Sequence, residues 1–257
     1  MPVIPVNNRN VHIQEWNKGA AETVVLVHGM FSNLSIYYFS IAPLLAKAFH
    51  VVLYDLKSHG KSERVATGYD LESMSDDLIA LLDALQLDRV NLSGYSFGAL
   101  IALKTAIRFP ERCNKLVLIE APDPGDDKTR DIIDDYSKDF LVNYINNFTD
   151  TTKVKMGNRQ LERNHRMYEY LFYQTSLKKD MLLERDFFKR KEIRSIAIRT
   201  LLLYGNASNC LEAGRFLHRQ IPYAGWKELP GDHNVPIQEP ELIAQELLDF
   251  FNAMAWA

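Results

Sequence analysis

Cysteine is scarce in this chain: Cys113 and Cys210 are the two among 257 residues. They form no metal-ligand spacing, and no metal constellation stands elsewhere along the sequence. They are expected to be reduced thiols of a cytosolic protein. An excess of one charge is also missing. Thirty Lys and Arg against 33 Asp and Glu leave a formal net charge of −3, which points to neither nucleic acid nor an anionic membrane as a partner. No apolar run approaches the roughly 20 residues of a membrane span. The opening Met1-Pro2-Val3-Ile4-Pro5 lacks a basic n-region and a long h-region. No signal peptide is therefore expected, and a cytoplasmic location follows as the expectation. Internal repeats and low-complexity linkers are absent too.

What is present is an ordinary globular composition, 47% hydrophobic and 25% charged, long enough for one large α/β domain or two small ones. Short aliphatic runs alternate with longer helical patterns. Thr23–Val27, Val51–Tyr54, Val90–Leu92, Leu116–Ile119 and Leu201–Tyr204 read as buried parallel strands. Residues 71–86 and 97–108 read as amphipathic helices, with Asp70 or Ser73 as N-cap of the first and Pro110 as the stop of the second. This alternation predicts a mostly parallel sheet covered by helices on both faces. A last helix is expected near 240–252.

Residues 122–195 break the rhythm. They are charge-dense and helical in period, with no convincing strand. The segment opens acidic (Asp123, Asp126, Asp127, Asp131, Asp134, Asp135, Asp139) and turns basic (Lys153, Lys155, Arg159, Arg163, Arg166). Tyr168, Tyr170, Phe172 and Tyr173 interleave there. The expected division is a core of 1–121 and 196–257 carrying a helical cap at 122–195.

The richest motif is Gly94-Tyr95-Ser96-Phe97-Gly98, between an apolar strand and a helix-like run. A serine on a tight strand-to-helix turn has a strained backbone that pushes its hydroxyl out over the sheet edge, and glycines two positions to either side avoid clashes there. Such a serine is usually a nucleophile; the bland alternative is a structural serine at a turn. The pentapeptide lacks the Lys-Ser/Thr and third glycine of a phosphate loop.

Three further pieces accompany it in order: His28-Gly29-Met30, Asp55-Leu56-Lys57-Ser58-His59-Gly60-Lys61-Ser62, and His233-Asn234-Val235-Pro236. With these four motifs the chain resembles the α/β-hydrolases, in their esterase and haloalkane-dehalogenase-like branch, over nearly its whole length. The resemblance implies an α/β-hydrolase fold and a catalytic triad. Ser96 would be its nucleophile and His233, last in chain order, its base. His28 is expected as a structural element of the oxyanion turn. His12, His50, His165 and His218 carry no motif and are expected at the surface or in packing.

The acid departs from the common pattern. The family's usual position, three residues after Gly205, is Ser208 here, with no carboxylate nearby. Glu120 ends the strand Leu116–Ile119, where some haloalkane dehalogenases carry their acid, and a charge after an apolar strand needs a partner. Glu120 is the expected orienting acid. Asp123 is the alternative, and a third reading has Glu120 pairing with a cap Lys or Arg. On this assignment Ser208→Ala is expected to do little.

The resemblance also implies an oxyanion hole from the N–H groups of Met30 and Phe97. Phe31, Tyr95 and Tyr173 are candidate pocket residues. Aromatic cap residues suggest an apolar acyl pocket, or simply cap packing. The basic runs suit an acidic carrier protein or a coenzyme A phosphate, or form a solvated face. The expected function is hydrolysis of a carboxylic ester or thioester through an acyl-enzyme on Ser96, with a small-molecule substrate and no cofactor. A carrier-protein or coenzyme A thioesterase or acyltransferase of a polyketide or fatty-acid pathway, a carbon–carbon bond hydrolase, and a non-catalytic ligand-binding protein of this fold remain as alternatives. The Asp nucleophile of dehalogenases and epoxide hydrolases is replaced by Ser96, which argues against both chemistries.

Overall fold

The computed structural model describes residues 2–127 and 158–253. The acidic cluster Asp131, Asp134, Asp135 and Asp139, Lys153 and Lys155, and the side chains of Arg159 and Arg163 lie outside the described residues.

Eight strands of the described residues form one sheet: β1 (Val3–Val6), β2 (Arg9–Trp16), β3 (Thr23–Val27), β4 (His50–Tyr54), β5 (Val90–Tyr95), β6 (Cys113–Ile119), β7 (Arg199–Gly205) and β8 (Ala224–Leu229). Their order is β1-β2-β4-β3-β5-β6-β7-β8. β1 pairs antiparallel with β2 and β2 antiparallel with β4, while every other neighbour pair is parallel. The antiparallel pair was not legible as strands, because β1 and β2 are half-exposed and mix polar with apolar residues. The five strands read as aliphatic runs are all present, Thr23–Val27 with the expected bounds and the other four extended by one to three residues.

The helices are α1 (Ser35–Tyr38), α2 (Ile41–Leu45), α3 (Leu71–Ala84), α4 (Phe97–Arg108), α5 (Asn158–Tyr173), α6 (Leu177–Leu183), α7 (Leu211–Gln220), α8 (Val235–Gln238) and α9 (Pro240–Asn252). The Asp70 carboxylate caps α3 by accepting from Ser73 N–H at 2.8 Å. α3 stops at Ala84, two residues short of expectation, where Gln86 turns to a positive φ of 56°. Between β6 and β7 the described residues contain α5, α6 and short 3₁₀ turns, with no strand among them.

Alternate residues of each parallel strand enter two different cores. Val25, Val27, Val52, Leu92, Leu116 and Leu202 join residues of α3, α4, α5 and α7 on one face. Val24, Leu26, Val51, Leu53, Val117 and Leu203 join residues of α2 and α9 on the other. Burial on both faces is why these strands read as continuous apolar runs. Successive strands step outward from β3 to β4 in one direction and to β5 in the other. That reversal opens a crevice at the carboxyl ends of the strands, the general place for a ligand in such sheets.

Candidate active site

Ser96 stands where β5 ends and α4 begins, with φ 54° and ψ −121°. This strained conformation is held by its surroundings. Ser96 N–H bonds to Ile119 O at 2.9 Å, and its own carbonyl accepts from Ala99 N–H at 2.9 Å. A Cβ on Gly94 would lie 2.1 Å from Gly98 O, and one on Gly98 would lie 2.3 Å from Val27 O. Both glycines are required by the close approach of backbone to backbone.

Glu120 follows β6 and is fully buried, also at positive φ (55°). Its N–H bonds to Leu203 O at 3.0 Å, so the residue is tied into the sheet at its carboxyl edge. Oε1 accepts from Gly205 N–H, and Oε2 accepts from the Ser208 hydroxyl. Oε2 also lies 3.1 Å from His233 Nδ1, and His233 Nε2 lies 3.0 Å from Ser96 Oγ. The structure therefore brings Ser96, His233 and Glu120 into one hydrogen-bonded line. Asp123 stands apart from it: its carboxylate accepts from Gly125 N–H at 2.8 Å in its own turn.

Ser208, expected to be idle, touches the Glu120 carboxylate. Its Oγ donates to Glu120 and accepts from Cys210 N–H at 2.9 Å. The hydroxyl cannot replace a carboxylate, but it satisfies one that arrives from the neighbouring strand.

The His233 loop is fixed from below. Tyr95 OH donates to His233 O at 3.0 Å, and the two rings lie 5.4 Å apart. The Tyr95 side chain is buried in the core on the α9 side of the sheet. This corrects its expected place in a pocket wall, since residues next to Ser96 along the strand point to the opposite face. Tyr173 stands differently. It is 67% exposed at the end of α5, where the helix turns its other face to the core. Phe31 fits better: its ring meets Tyr168 at 4.4 Å and Phe172 at 5.5 Å, and its carbonyl accepts from Tyr168 OH.

The turn carrying Met30 lies beside the serine, for a Cβ on Gly29 would sit 3.1 Å from Ser96 Cβ. Phe97 N–H is the first of α4, one of the donors a helix start leaves without an intrahelical partner. The turn is braced by buried His28, whose Nε2 accepts from Leu56 N–H at 3.0 Å. Asp55 links the same loops: Oδ1 accepts from Leu34 N–H, while Oδ2 accepts from Lys61 N–H and meets His12 Nδ1 at 2.7 Å. His12 is thus a buried packing histidine.

Electrostatics act strongly on His233. Burial opposes charge on His233, but Cys210 and Glu120 beside the ring outweigh it and hold the imidazole pKa well above its ordinary value. Cys210 was missed from sequence. Its Sγ lies 3.5 Å from His233 Nδ1, and nothing in its spacing signals that contact. Glu120, Cys210 and His233 offer three potential ligand atoms within 4.8 Å of one another, a cluster the linear sequence did not display.

Apart from this line, a recess of about 790 Å³ opens between α5 and the loops after β3 and β4. Lys61, Arg64 and Arg166 are among its lining, and Arg64 lies over the Tyr170 ring at 4.7 Å. Ser96, Glu120 and His233 are not among the residues that line it.

A sequence model of the alpha/beta hydrolase fold matches residues 22–167, more than half of the chain. The AB hydrolase superfamily protein YisY of Bacillus subtilis is 26% identical over 258 residues, covering 91% of this chain and 93% of that protein. A 2-hydroxy-6-oxo-2,4-heptadienoate hydrolase of Pseudomonas putida is 40% identical over 106 residues, 40% of this chain and 38% of that protein. Among solved structures, an enol-lactonase from Burkholderia xenovorans superposes with a TM-score of 0.78 at 21% identity, covering 98% of this chain and 100% of that one. No helix of the described residues is long and apolar enough to cross a membrane.

Proposed function

This chain belongs to the α/β-hydrolase fold family, and from that premise we propose that it is a serine hydrolase cleaving a carboxylic ester or thioester. The observation that carries the reading is the line Glu120 Oε2, His233 Nδ1 and Nε2, Ser96 Oγ, with steps of 3.1 and 3.0 Å. An unassisted hydroxyl is too weakly acidic to attack a carbonyl, so it needs a base within hydrogen-bond reach.

In the proposed cycle Ser96 attacks the carbonyl while His233 Nε2 takes its proton. Glu120 holds the Nδ1–H tautomer and stabilises the imidazolium as it forms. The Met30 and Phe97 N–H groups receive the oxyanion, each contributing about 3 kcal/mol to the transition state. His233 returns the proton to the leaving group, and water releases the acyl group by the same route. The substrate is a small molecule. Residues 122–195 act as the cap over residues 1–121 and 196–257. Contact of Phe31 with Tyr168 and Phe172 supports a cap-covered apolar site.

One observation favours a second reading, hydrolysis of a carbon–carbon bond by the same residues. The segment 40% identical to the 2-hydroxy-6-oxo-2,4-heptadienoate hydrolase supports it, although it covers 38% of that protein.

Labelling with a fluorophosphonate tests the common core. Labelling at Ser96 that disappears in Ser96→Ala and weakens in His233→Ala is the expected result. A folded protein that takes no label sinks the hydrolase reading. Rates on p-nitrophenyl esters, acyl-coenzyme A of several chain lengths and a vinylogous diketone acid then separate ester, thioester and carbon–carbon cleavage.

A further inference from the structure

We propose that Cys210, His233 and Glu120 form a binding site for a soft divalent cation, Zn²⁺ foremost, and that its occupation switches the enzyme off. The inhibitory half rests on the serine-hydrolase reading; the binding half stands on geometry alone.

Two of the three ligand-atom edges have the spacing such an ion requires, and all three atoms lie within 4.8 Å of one another. Cys210 Sγ is 3.5 Å from His233 Nδ1, which is 3.1 Å from Glu120 Oε2. With Zn–S near 2.3 Å and Zn–N and Zn–O near 2.0–2.1 Å, the edges of a tetrahedron are about 3.4–3.6 Å. The two edges to His233 Nδ1 need shifts of a few tenths of an ångström, and drawing the Cys210 thiol and the Glu120 carboxylate together closes the third and admits the ion. Thiolate, imidazole and carboxylate together are a Zn²⁺ donor set, and the thiolate disfavours Mg²⁺ or Ca²⁺.

The surroundings already orient the ligands. Ser208 Oγ holds Glu120 Oε2 and accepts Cys210 N–H, while Gly205 N–H holds Oε1. Outer partners of this kind fix ligands in metal sites. The site is reachable, since the His233 side chain is 23% exposed. Cys113, by contrast, is fully buried at the start of β6, and burial pushes its thiol up to about 12.

Occupation stops the chemistry by a tautomer change. The Cys210 thiol loses its proton to solvent as the metal–sulfur bond forms. The Nδ1 proton leaves as the metal–nitrogen bond forms, and Nε2 takes up a proton in its place. The Nε2–H then faces Ser96 Oγ, with no lone pair left to accept the serine proton. Starting from the neutral ring one proton is released per ion bound, from the imidazolium two, and no oxidant or reductant enters.

The test uses the reduced, full-length protein stripped by a chelator. Titration with Co²⁺ is expected to give a one-to-one thiolate-to-metal charge-transfer band in the near ultraviolet. Cys113→Ala should keep the band and Cys210→Ala should lose it. Zn²⁺ should lower p-nitrophenyl ester hydrolysis at least about tenfold, reversed by chelator. Losing a ligand costs no less than losing an outer partner, so Cys210→Ala should need at least about 10–100-fold more Zn²⁺. No charge-transfer band, or a band unchanged in Cys210→Ala, overturns the site and leaves Cys210 as packing. Equal Zn²⁺ sensitivity of wild type and Cys210→Ala overturns the switch. A Co²⁺ band in a protein that takes no fluorophosphonate label upholds the site while the hydrolase reading falls.

Discussion

The Ser208 hydroxyl donates a hydrogen bond to the buried Glu120 carboxylate, across the ends of two neighbouring strands. The position three residues after Gly205 therefore holds a hydrogen-bond donor to a carboxylate on the next strand. Both side chains converge below His233, and the ring receives its carboxylate from β6 instead of β7.

Glu120→Gln is expected to lower kcat on p-nitrophenyl esters strongly, by up to about 10⁴-fold, because the amide keeps the shape but loses the charge that stabilises imidazolium. A loss below about tenfold would show that the acid lies elsewhere.

Ser208→Ala is expected to cost more than an idle residue would. Removing a hydrogen bond to a charged group costs about 1.5–3 kcal/mol, so kcat should fall roughly 10–100-fold with the fold intact. Thermal unfolding and kcat measured side by side check this. An unchanged kcat would mean that Gly205 N–H alone suffices to hold Glu120.

The pH profile of kcat/KM reports the free-enzyme base. Glu120 and Cys210 raise the His233 pKa above its ordinary 6.5, and only the neutral ring can accept the Ser96 proton. Activity should therefore be lost as pH falls through a value above 6.5, and in Glu120→Gln that acid limb should move to lower pH. The profile is measured with chelator present; a wild-type limb below 6.5 contradicts the expectation.

Two buried histidines tie stability to acid. Burial pushes His59 down to about 3 and lowers His28, with the two rings 5.3 Å apart. An unfolded chain binds a proton at His59 below about 6.5 while the folded one does not. Stability is thus retained above 6.5 and lost as pH falls toward 3, by about 1.4 kcal/mol per pH unit for His59. Urea melts at pH 7, 6 and 5 should show a shallower loss in His59→Gln than in wild type, and equal slopes refute the linkage.

Gly98→Ala is expected to lower Tm. The added methyl meets Val27 O at 2.3 Å, an overpacking that costs about 1–3 kcal/mol and on the order of 5 °C. Fluorophosphonate labelling should slow as well, since α4 can retreat only by moving Ser96. A melt identical to wild type would show that β3 yields at no cost.

Much was legible before any coordinates. Five central strands announced themselves because both their faces are buried, which makes composition alone sufficient. Ser96 was legible because the turn demands glycine at 94 and 98. The positions of His233, late in the chain, and of Glu120, a charge stranded after an apolar run, were legible as partners for that serine, and their side chains do meet in one hydrogen-bonded line with it. β1 and β2 were not, since edge strands alternate weakly and accept polar residues. The side of the sheet to which Tyr95 points, the exposure of Tyr173 and the contact of Cys210 with His233 depend on neighbours distant in sequence.

By itself, the sequence determined the α/β layering, the strained serine turn and the absence of a carboxylate after Gly205, because these follow from local sterics and from the pattern of apolar residues. Only the tertiary structure decided what fills that absence. The Glu120 carboxylate reaches His233 because β6 and β7 are parallel neighbours whose ends coincide, with Ile119 paired to Leu203. That register sets Cys210 and Glu120 around one imidazole nitrogen, with Ser208 holding Glu120, and no spacing along the chain encodes a distance across two strands.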